Sequence, residues 1–142
     1  MTDLRYAREA DRLDQTPPPA GPLDVSPLLG TWINTNPGSR GIVRFVLGSR
    51  DGVLTVRAFG AGLTEGTEEP ERDWGEVDAE RIYTDGMTSG NVMSFTARYD
   101  FGFLESHLQA NMNLGLLVVA GYNTFTDGSG RSSYFSREFY HR

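Results

Sequence analysis

The chain has no lysine and no cysteine: all 13 basic side chains among its 142 residues are arginine, and it has two histidines, His107 and His141. Each absence removes a class of chemistry. Without lysine there is no Schiff base, no pyridoxal phosphate attachment and no Walker lysine. Without cysteine there is no thiol nucleophile, no thiolate metal ligand and no disulfide. Two histidines cannot build a three-histidine zinc centre within one chain. Basic charge is also scarce: the net charge of −6 argues against nucleic acid as a partner, since phosphate binding needs a basic surface. No run approaches the roughly 20 apolar residues of a membrane span, so no membrane partner is expected. The opening residues lack a basic start followed by an apolar run, so no signal peptide is expected. With cysteine absent, a reducing cytoplasm is the expected location.

What is present organises into two parts. Residues 1–26 read as an N-terminal arm: a short helix over 3–14, with Asp3 as its N-cap, then the extended linker TPPPAGP at 16–22. Residues 27–142 read as one β domain. Short alternating segments recur at 29–35, 41–47, 53–60, 71–83, 92–101, 103–112, 114–125 and 132–142, each closed by a turn cluster such as NPGSRG, GSRDG or TDGSGR. Eight strands with hairpin-length loops and no crossover helix predict an antiparallel meander. The expected fold is an all-β, eight-stranded, up-and-down barrel whose interior holds side chains or one small ligand.

The first strand carries Gly30-Thr31-Trp32, followed two residues later by Asn34 and then by an apolar strand. This Gly-x-Trp motif resembles the first strand of the calycins, the lipocalin and avidin superfamily. The resemblance spans 28–142 in strand count and about ten residues in motif. It implies a closed barrel and an arginine from the last strand packed over Trp32 at its floor. Arg137 is the matching candidate, with Arg131 second. The later tryptophans and serine-rich contacts of avidins are missing, so biotin is not carried over. The glycine-rich motif of haem-binding relatives is missing too, and no cofactor is expected.

Alternation along the strands marks the walls. On 92–101, Met93, Phe95, Ala97, Tyr99 and Phe101 form an apolar face opposite Ser94, Thr96, Arg98 and Asp100. The last two strands differ. Segment 114–122 is apolar on both faces, and 132–142 is aromatic on both, with Phe135 and Phe139 flanking Arg137 and with Tyr134 and Tyr140 flanking Glu138. A strand buried on one side does not need this. The N-terminal arm or another subunit could cover this face, and a homodimer or higher oligomer packed through these seventh and eighth strands is expected.

Few groups remain for chemistry. Glu105 and His107 share one strand face, where a carboxylate could steer an imidazole as general base, although the alternation also fits a solvent face. With Tyr99 and Arg98 they form the candidate catalytic set. The acidic run from Glu65 to Glu80 lacks the spacing of a calcium loop, and 127–138 breaks the EF-hand pattern at Arg131 and Ser132, so no metal is expected. Trp32, Asn34, Trp74, Tyr83, Phe95, Tyr99, Phe101, Tyr122 and Arg137 are the candidate ligand contacts, because aromatic rings plus a buried arginine suit an unsaturated or carboxylated molecule. The expected function is binding of one small, mainly apolar molecule in a central cavity. The alternative is a cofactor-free cyclase or isomerase of a bacterial natural-product pathway that uses the same cavity.

Overall fold

A computed structural model describes residues 8, 10, 23–62 and 71–142. The expected helix over 3–14 and its linker lie outside the described residues. After a short 3-10 turn at Ser26–Leu28 come nine strands: β1 (Gly30–Asn34), β2 (Ile42–Arg50), β3 (Val53–Gly60), β4 (Arg72–Asp78), β5 (Arg81–Thr84), β6 (Val92–Asp100), β7 (Leu104–Asn113), β8 (Leu116–Phe125) and β9 (Tyr134–His141). They form one antiparallel sheet in the order β4-β3-β2-β1-β9-β8-β7-β6-β5.

The meander is as the turn chemistry predicts, but the barrel does not close. The segment 71–83, read as one strand, is two. Its chain crosses from one sheet edge to the other at Ala79 and Glu80, whose amides donate to Leu54 O on β3 and Thr96 O on β6. β4 pairs only with β3 and β5 only with β6, so the two are opposite edges of the sheet. Those edges stand 9 Å apart, about twice the ~4.8 Å spacing that ladder hydrogen bonds require. The architecture is a curled, open half-barrel of nine strands. Both the expected closed eight-stranded barrel and the calycin assignment built on it are therefore corrected.

Two local irregularities occur at the β4 edge. A bulge offsets β3 from β4 between Arg57 and Phe59, and Gly75 within β4 has φ +85°. The Tyr99 side chain then spans the gap: its hydroxyl donates to Gly75 O (2.8 Å), lies 3.1 Å from Val56 O and accepts from Ala58 N (3.2 Å). One side chain replaces a strand ladder.

The core fills the concave face with Phe45, Leu47, Leu54, Val56, Phe95, Ala97, Leu108 and Leu117, as strand alternation requires. One end is sealed by Leu28 and Trp32, both fully buried, and the indole of Trp32 donates to Leu28 O at 2.9 Å. An arginine does cover Trp32, but it is Arg142, not Arg137. Its guanidinium lies 4.4 Å from the ring centroid and donates to Pro27 O and Leu29 O. The β8–β9 register explains the exchange, because Ala120 opposite Arg137 places Arg137 on the convex face, and the even-numbered residues of β9 point inward.

Candidate functional site

At the end of the sheet away from Trp32, the concave face encloses a cavity of about 550 Å³. Leu108, Val119, Ile42 and the ring of Tyr140 supply apolar surface, while Trp74, Phe101, Phe103 and Tyr134 add aromatic rings. Trp74 meets Phe101 edge-to-face at 5.2 Å, and Phe101 lies nearly parallel to Tyr99 at 5.9 Å. The sharp β6–β7 turn, with Gly102 at φ +84°, is what brings Phe101 and Phe103 to this end.

Polar groups concentrate along β8, β9 and the β1–β2 loop. Glu138 points inward from β9, and Ser39 of the loop donates its hydroxyl to Glu138 Oε1 at 2.5 Å. Tyr140 donates to Ile42 O at 2.8 Å, with its hydroxyl 3.5 Å from Glu138 Oε2. Burial, with the Glu138 charge next in weight, pushes the Tyr140 phenol well above its ordinary range and keeps it neutral. Asn123 accepts from the fully buried Ser106 hydroxyl at 2.6 Å, which leaves its amide nitrogen as the donor on the cavity side. Two glycines permit close packing at this end. A Cβ on Gly121 would stand 2.7 Å from Ser136 Oγ, and one on Gly60 would stand 2.8 Å from the Trp74 indole nitrogen.

The residues singled out from sequence fall into three groups. Trp74 and Phe101 line the cavity. Trp32, Asn34, Phe95 and Tyr99 point inward but serve the framework. Asn34 ties the β1–β2 loop through Ile42 O and Asn36 N, and Phe95 is core. The Tyr99 hydroxyl is enclosed among backbone groups, and burial pushes its pKa up to about 12. Arg98, Glu105, His107, Tyr122 and Arg137 are on the convex face, and Tyr83 projects to the exposed side of β5. There Arg98 joins Glu80 and Glu105 in an ion-pair network, and His107 stands between Arg98 and Tyr122 across the strands. The structure thus brings Glu105, His107 and Arg98 together, but away from the cavity.

Glu138, Ser39, Asn123, Ser136, Arg40, Arg72, Phe103 and Tyr134 were not singled out as site residues. Strand parity relates four of them, but it marks an inward face only once the register of β8 and β9 is known. Asn123 shares the inward parity of β8 with Leu117 and Val119, and Tyr134, Ser136 and Glu138 share one face of β9 with Tyr140. Among the described residues no group of three or more His, Asp or Glu side chains is placed to hold a metal ion. No described helix is long and apolar enough to cross a membrane. No protein-family profile matches the chain, and no curated protein or solved structure does either.

Proposed function

We propose that this protein binds one small, mainly apolar molecule in the cavity of its half-barrel. The observation that carries this reading is the cavity itself, about 550 Å³ with aromatic and aliphatic walls and a few convergent polar groups. That is the size and character of a small-molecule site. The test uses the two tryptophans. Trp32 is fully buried at the sealed end, whereas Trp74 lines the cavity. Titration with a neutral apolar contact quencher of ligand size, bromobenzene, is expected to quench Trp74 emission saturably. The signal should vanish in Trp74→Phe, whose remaining tryptophan is Trp32. Quenching that persists in Trp74→Phe, or never saturates, refutes the reading.

We also propose that two copies pack through the convex face of β8 and β9. That face exposes Tyr122, Phe135 and Phe139, continued by Ile33 of β1. Burying such rings against a second copy removes a contiguous apolar patch from water. Sedimentation equilibrium is expected to give a dimer or larger assembly, converted to monomer by Phe135→Glu combined with Phe139→Glu. A monomeric wild type refutes this.

A further inference from the structure

We propose that the cavity selects a molecule bearing a protonated amine on an aromatic or aliphatic body, with the ammonium seated on Glu138. The inference rests on the cavity-binding reading and adds the charge and donor character of the occupant.

The first ground is the electrostatic position of Glu138. It is the sole carboxylate among the described residues that line the cavity. On the outer surface, Glu71, Asp73, Glu76, Asp78, Glu80, Glu105 and Asp127 each pair with an arginine. Glu138 has no ion-pair partner among the described residues, and its contacts there are the hydroxyls of Ser39 and Tyr140. The Tyr140 proton is directed mainly at Ile42 O, so Oε2 keeps acceptor capacity. A carboxylate walled in by a curled sheet loses hydration and gains most from a cation that replaces it.

The second ground is room. A Cβ on Gly41 would stand 3.1 Å from Oε2, so glycine at this loop position keeps side-chain bulk away from the oxygen. The third ground is the walls. Trp74, Phe101, Phe103 and Tyr134 supply aromatic surface that suits the hydrocarbon body of such a cation. Arg40 and Arg72 also line the cavity, and Arg72 Nε donates to Ala61 O at 2.9 Å. A purely anionic occupant meets opposite charge at Arg40 and Arg72 but like charge at Glu138, so the seat on Glu138 itself discriminates against anions.

The test compares three probes of nearly one shape on the full chain by isothermal titration calorimetry: tryptamine (cationic), 3-ethylindole (neutral) and indole-3-propionate (anionic). Tryptamine is expected to bind wild type at least tenfold tighter than 3-ethylindole, with indole-3-propionate weakest. Glu138→Gln should erase the tryptamine advantage while leaving 3-ethylindole affinity within twofold, which also shows that the variant is folded. The wild-type ranking stands on its own should that variant fail to fold. If 3-ethylindole binds and tryptamine binds no tighter, or if Glu138→Gln keeps the advantage, the amine assignment falls and the cavity reading survives. If indole-3-propionate binds tightest, the arginines govern the site and the proposal is overturned. If none of the three binds, both readings fall together.

Discussion

The two faces of the curled sheet treat their charges in opposite ways. On the convex face, charge is plentiful and mutually cancelled. Arg57 holds the exposed Asp73 carboxyl down at about 2, the Gly75 amide adding to the effect, and Arg98 is shared between Glu80 and Glu105. On the concave face charge is scarce, and Glu138 is braced by hydroxyls rather than by a cation. Water can solvate an exposed pair cheaply, so convex pairs add little stability and promise little chemistry. An unneutralised carboxylate beside a cavity has more to gain from a ligand. The difference teaches that Glu105, Arg98 and His107 cluster on the convex face, with His107 Nε2 buried there, while Glu138 is the one inward acid among the described cavity residues.

The largest effect expected from breaking this contrast is on the concave side, at Tyr99. Its hydroxyl stitches the open edges of the sheet, and burial raises its pKa from 10.0 to about 12. In the unfolded chain the phenol ionises near 10, so the folded state holds its proton longer. This stabilisation is complete below pH 10 and is lost as pH rises through about 12. Two pH units correspond to roughly 2–3 kcal/mol, and Tyr140, shifted in the same direction, adds to the loss. Denaturant unfolding followed between pH 9 and 12 should show stability falling steeply. Tyr99→Phe should flatten part of the slope while itself costing about 1–3 kcal/mol, because the Ala58 amide loses its acceptor. A flat profile across that range would mean the phenol is not enclosed.

Legibility from sequence followed the same divide. Strand positions and the apolar parity of β6 could be read because alternation and glycine-rich turns are local properties. Closure could not. It depends on whether 71–83 runs as one strand or bends at Ala79 and Glu80 to serve two edges, and such a run carries no local mark of the choice. In β9 both parities are aromatic, so alternation could not say whether Arg137 or Glu138 faces in. The register against Ala120 and Val119 decides it, and register is a long-range property. A late arginine over Trp32 was legible as a kind of contact, but the residue is Arg142, five positions further on. Glu105 and His107 drew attention because i, i+2 residues share a face, and sequence alone does not say which face that is.

The smallest effect sharpens the comparison from the convex side. Arg98 bonds Glu80 and Glu105 in the open, with nearly half of its side chain exposed. Solvent screening and the entropy of three long side chains oppose the Coulomb gain, so Glu105→Gln is expected to cost no more than about 1 kcal/mol. Raising the salt concentration should shrink that difference further, because exposed pairs are screened within about 10 Å at 0.1 M ionic strength. Glu105→Gln should also leave tryptamine affinity unchanged, since Glu105 and the cavity lie on opposite faces of β7. A loss of tenfold or more in that affinity would tie the convex carboxylate to the cavity and dissolve the division between the two faces.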